Sequence, residues 1–109
     1  MQCESYKESD AVVIKPSGRM DAGTSSAFEK ECQKWIEKDE RNLIADFEDL
    51  EYISSAGLRS VLVVGKKLKP SGGALALCNM NGMVEEVFNM SGFNKIFNIY
   101  DTLEAALEG

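Results

Sequence analysis

Apolar runs too short for a helix alternate with amphipathic helical stretches along the whole chain, and that alternation restricts the fold more than any other feature. Ala11-Val12-Val13-Ile14 is apolar and too short for a helix, so it reads as a buried strand closed by Pro16, Ser17 and Gly18. From Asn42 to Phe47, Leu43, Ala45 and Phe47 alternate with Ile44 and Asp46. Both sets carry apolar side chains, as in a strand covered on two sides. Ala74 to Cys78 is a third strong strand and Ile96 to Tyr100 a last one, while residues 3–8 form a weaker candidate before the Ser9-Asp10 turn. Glu48 to Ile53 is acidic but ends apolar and receives no assignment.

Helical spacing fills the intervals. Phe28, Cys32, Trp35 and Ile36 fall on one face of a helix expected from about Thr24 to Lys38. Leu58, Val61, Leu62, Gly65 and Leu68 stripe a second helix that opens at Ser54-Ser55 and stops at Pro70. Met83, Val84, Val87 and Phe88 mark a third, capped by Asn79 or Asn81 and ended by Ser91-Gly92. Asp101-Thr102-Leu103-Glu104 has the form of a capping box for a short terminal helix. Strands reached through helices must run largely parallel, because each return needs a crossover. The expected fold is therefore α/β: a small mixed, largely parallel sheet of four to five strands with about four helices. The chain of 109 residues suits a single domain over 1–109.

Composition narrows the chemistry. There is no His, which removes an imidazole base, a Ser-His-Asp or Cys-His triad, a His-ligated metal and a phosphohistidine relay. Eighteen acids against twelve Lys and Arg give a net charge of −6, a poor match for nucleic acid or an anionic membrane. No apolar run approaches the ~20 residues of a membrane span, and the polar start lacks the apolar stretch of a signal peptide. A cytoplasmic location is expected. Cys3, Cys32 and Cys78 form no close pair, so they read as reduced thiols, at least two of them in the core. Gly65-Lys66-Lys67 is not a phosphate-binding loop, and no GxGxxG occurs. Asp46, Glu48, Asp49 and Glu51 are the densest carboxylates and read as solvated charge. These features imply a protein that is not an enzyme and that uses no metal and no cofactor.

One constellation remains. Ser54 and Ser55 lie after an apolar segment and before an amphipathic helix, where either hydroxyl can cap the free backbone N–H groups. Those N–H groups and the positive helix end would also stabilise a phosphate. Arg59 stands one turn beyond Ser55, within reach of such a group. No acid occurs from Ile53 to Gly82, so the serine pair sits at a charge boundary, acidic before and basic after.

Tyr52-Ile53-Ser54-Ser55-Ala56-Gly57-Leu58-Arg59 resembles the signature of STAS domains of the anti-sigma factor antagonist group. Gly18-Arg19-Met20-Asp21, Asn42 to Phe47, Gly72 to Leu77 and Phe93 to Phe97 resemble further family segments in the same order, so the resemblance covers nearly the whole chain. It implies a module that binds a serine-kinase anti-sigma factor, or a related regulatory kinase, when unphosphorylated. Phosphorylation releases that partner, and a phosphatase reverses the step. Aligned on Gly57-Leu58, Ser55 takes the phosphoacceptor position and Asp21 the acidic position in the loop before the first helix. Ser54 replaces the family's Asp, and Ala56 replaces a second Ser or Thr. The resemblance also admits an accessory or scaffold subunit, stressosome- or transporter-associated, that is never phosphorylated. The environment of the site is expected to be Asp21, Ser54, Ala56, Gly57 and Arg59, with no nucleic-acid or membrane partner.

Overall fold

A computed structural model describes residues 1–109. Its elements are β1 (Gln2–Glu8), β2 (Ala11–Met20), α1 (Ser25–Ile36), β3 (Asn42–Asp46), β4 (Leu50–Ile53), α2 (Ser55–Leu68), β5 (Ala74–Cys78), α3 (Gly82–Ser91), β6 (Asn98–Tyr100) and α4 (Leu103–Glu108). Short 3-10 turns follow α2 and α3 at Lys69–Ser71 and Phe93–Lys95. The sheet is mixed and largely parallel, as expected, but it has six strands rather than four to five. Its order is β1-β2-β3-β5-β6, with β4 beside β2. Only β1 runs antiparallel to its neighbour.

The extra strand arises from a partner, not from its own sequence. β2 is ten residues long and pairs in two stages along one side. Val12 to Ile14 pair with β3, and Gly18 to Met20 pair with β4. Pro16, Ser17 and Gly18 therefore do not close the strand. They span the gap between the two ladders, where a proline removes no hydrogen bond on that side. Gly18 has φ +88° and lies where the register shifts, a backbone state that favours glycine. Its amide bonds to the Asp49 carbonyl at 3.0 Å, which aligns the acidic Leu50–Ile53 stretch with β2.

The pleat divides the strand residues between two layers. Val12, Ile14, Leu43, Ala45, Leu75 and Leu77 face α1, α2 and α3 in a 19-residue core. Ala11, Ile44 and Cys78 face the opposite way, against Ala106 of α4. All five phenylalanines link in succession across the larger core, from Phe28 through Phe47, Phe88 and Phe93 to Phe97, with ring centroids 6.0–6.4 Å apart. The weak candidate at residues 3–8 is a real edge strand. It is tied to α1 by Trp35 Nε1, which donates to Ser5 Oγ at 2.8 Å, and by Ser5 Oγ, which donates to Glu31.

Two local boundaries and one burial differ from the sequence reading. Ile96 and Phe97 belong to the turn that leads into β6, because the Ile96 and Phe97 amides fold back onto the Phe93 carbonyl. Thr102, not Asp101, caps α4: its hydroxyl accepts from the Ala105 amide at 3.1 Å. Asp46 is not solvated but buried, and its carboxylate accepts from Asn79 Nδ2 and the Glu48 amide.

Candidate functional site

β2 and β4 end side by side, and that junction builds the site. Met20 pairs with Ile53, and the next amide, Ser54, donates to the Met20 carbonyl at 2.9 Å. Asp21 and Ser55 each lie one residue beyond this bond. The parallel ladder thus brings together two segments that are distant in sequence.

Of the two serines, Ser54 is the cap. Its backbone is extended, its carbonyl accepts from the Leu58 amide at 2.9 Å, and its Oγ accepts from the Gly57 amide at 3.3 Å. Ser55 is the first helical residue, exposed, and its hydroxyl makes no hydrogen bond within the chain. The first turn of α2 contains no acid, so the positive end of the helix dipole is not neutralised there.

Gly57 determines how close this turn can come to the sheet. A Cβ at that position would stand 2.7 Å from both the Met20 carbonyl oxygen and Ile53 Cγ1. Any side chain would push the helix start away from the strand ends. Ala56, beside it, is half-buried.

Asp21 organises the loop between β2 and α1. Its carboxylate accepts from the Gly23 amide at 3.0 Å, and Thr24 Oγ1 lies 3.2 Å from the same oxygen. Thr24 Oγ1 in turn accepts from the Asp21 amide and donates to the Arg19 carbonyl at 2.7 Å. The Thr24 hydroxyl is spent on the loop, which is why α1 has no side-chain cap.

Two cations stand at the junction. Arg59 is exposed, one turn past Ser55, and forms no ion pair. Arg19 is the residue sequence reasoning missed. Its guanidinium lies over the Tyr52 ring, 4.1 Å from the centroid, as a cross-strand pair between β2 and β4. Both residues stand in the quoted motifs, yet their contact depends on the strand the sequence did not reveal.

The thiols offer no alternative chemistry. Cys32 and Cys78 are buried and Cys3 is half-buried. Burial, reinforced by nearby carboxylates, pushes the Cys3 and Cys78 thiols up to about 12 and Cys32 upward as well. All three stay protonated at neutral pH and are weak nucleophiles. No helix is long and apolar enough to cross a membrane. The arrangement presents a free hydroxyl at a helix start with the exposed Arg59 one turn beyond it.

A family model described as STAS domain matches residues 2–106. Two similar proteins bear the name "putative anti-sigma factor antagonist". BtrV of Bordetella bronchiseptica is 42% identical over 89 residues, covering 82% of this chain and 77% of the relative. The crystal structure of a Thermotoga maritima protein superposes with a TM-score of 0.91 at 26% identity, covering 97% and 92% of the two chains. The anti-sigma F factor antagonist of Paenibacillus polymyxa is 28% identical over 108 residues, covering 98% and 92%.

Proposed function

The chain belongs to the STAS domain family, and on that premise we propose that it is an anti-sigma factor antagonist controlled by phosphorylation of Ser55. Unmodified, the α2 start and the Asp21 loop bind a serine-kinase anti-sigma factor or a related regulatory kinase. The kinase then transfers the terminal phosphoryl group of its ATP to Ser55 Oγ, with loss of the hydroxyl proton and release of ADP. A phosphatase returns the chain to the binding state. In this reading the protein is cytoplasmic and performs no catalysis of its own.

The observation that carries the proposal is the division of labour between the two serines. Ser54 caps the helix, while Ser55 is exposed and unbonded. Phosphate can therefore be added at Ser55 without removing the cap. The added group brings about −1.5 to −2 charge at pH 7. Inside an interface it must be desolvated or meet like charge, at a cost of a few kcal/mol, and each 1.4 kcal/mol is about tenfold in affinity. Outside the interface the helix dipole and Arg59 accommodate it.

Phosphopeptide mapping after incubation with the cognate kinase is expected to place the label on Ser55. Ser55→Asp should weaken partner binding at least about tenfold, while Ser55→Ala retains it. Equal affinities of the two variants overturn the switch. The departures at Ser54 and Ala56 favour one other reading, an accessory or scaffold subunit that is never modified. A bound partner with no label on Ser55 would select that reading.

A further inference from the structure

Two lysines rim an apolar groove on the other half of α2, far from Ser55. The groove has a volume of about 470 Å³ and runs between α2, the start of β5 and the Ile96–Asn98 segment. That volume falls in the roughly 300–1,000 Å³ range of small-molecule sites. Leu62, Leu75, Ile96 and Phe97 supply its apolar lining. Ile96 is 55% exposed, a large aliphatic side chain left open to solvent.

Along α2 and its C-cap the lining residues Leu62, Gly65, Lys66 and Lys69 fall at i, i+3, i+4 and i+7, one helix face. The face changes from apolar to cationic toward the C-terminus. Gly65 lets the helix pack directly on the groove's Phe97 wall, since a Cβ there would stand 2.9 Å from the Phe97 ring. Lys66 and Lys69 form no ion pair, although the chain carries eighteen acids. Lys67, between them, turns away and donates to Gln33 Oε1 at 3.1 Å. No acid lines the groove, and none occurs in sequence between Glu51 and Glu85. Lysines near a helix C-terminus complement the dipole. That accounts for their sign but not for the open apolar trough beside them.

We propose that this groove binds an anionic amphiphile, a medium-chain fatty carboxylate, with its head at Lys66 and Lys69 and its tail along Leu62, Leu75, Ile96 and Phe97. The free cations select the sign of the head. Their place at one end of a single apolar face matches a ligand with one head and one tail. Ser55 lies ten residues before Gly65, about 15 Å along the helix axis at 1.5 Å per residue. The two sites are thus separate, and the groove does not depend on the state of Ser55.

The test is a titration of the isotope-labelled full chain with decanoate below its micellar concentration, followed by amide NMR. Saturable shifts are expected at Leu62, Gly65, Ile96 and Phe97. Lys66→Glu combined with Lys69→Glu should weaken binding at least about tenfold, and Ile96→Asp should do the same. All three side chains are exposed, so unchanged amide spectra elsewhere establish that these variants fold. Decyltrimethylammonium, with the same tail and opposite charge, should give no saturable shifts. The proposal is overturned if decanoate gives none, if the cationic amphiphile binds equally well, or if the lysine reversals leave binding intact. An acidic amphipathic peptide that saturates the groove where decanoate does not would also overturn it and assign the face to a protein partner.

Discussion

The two halves of α2 each bring a glycine against a neighbour, and the neighbours differ in kind. Gly57 faces backbone: the Met20 carbonyl oxygen, which already accepts the Ser54 amide, sits 2.7 Å from where its Cβ would be. Gly65 faces the edge of the Phe97 ring at 2.9 Å. A carbonyl in a strand ladder cannot withdraw without losing its bond, whereas the outer edge of an aromatic side chain can shift by a few tenths of an ångström. The helix is clamped where it presents Ser55 and adaptable where it borders the groove. Under the proposed function, a hydroxyl that meets a kinase in one orientation gains from the first arrangement. A groove that must admit a tail gains from the second.

Substitution at the two glycines probes this contrast directly. Gly57→Ala has the largest expected effect, a loss of roughly 1–3 kcal/mol in unfolding free energy from overpacking, measured by urea denaturation. A neutral result would mean that the first turn is not clamped. Ser54→Ala comes next, at about 1 kcal/mol for the lost cap, with Ser54→Asp restoring most of it. Gly65→Ala is expected to change stability least, within about 0.5 kcal/mol, because better helix propensity offsets the displacement of Phe97. A loss there as large as at Gly57 would erase the distinction between the two halves.

Much of this was legible in the sequence. The short apolar runs at Val12–Ile14, Leu43–Ala45 and Leu75–Leu77 mark central strands, and the stripe from Leu58 to Leu68 marks α2 together with its start. The capping role was narrowed to Ser54 or Ser55, and only backbone geometry chose Ser54. β4 was not legible, since Leu50-Glu51-Tyr52-Ile53 becomes a strand by pairing with β2 rather than by propensity. The same blind spot hid the continuation of β2 past Pro16 and the contact between Arg19 and Tyr52. The proximity of Asp21 to Ser55 came from family resemblance alone; its physical cause is the register of Met20 with Ile53. Arg59 stands free of partners in the fold, and the groove on the later half of α2 is formed by segments that only the tertiary structure brings together.

The bond from the Ser54 amide to the Met20 carbonyl joins residues 34 positions apart (54 − 20). Parallel pairings across such a separation carry a loop-closure cost before any contact repays it, and they form slowly. The Ser55 surface therefore exists only once β2 and β4 have paired. A chain without that pairing has a serine at that position but no docking surface around it, so under the proposed function the kinase would engage only folded molecules.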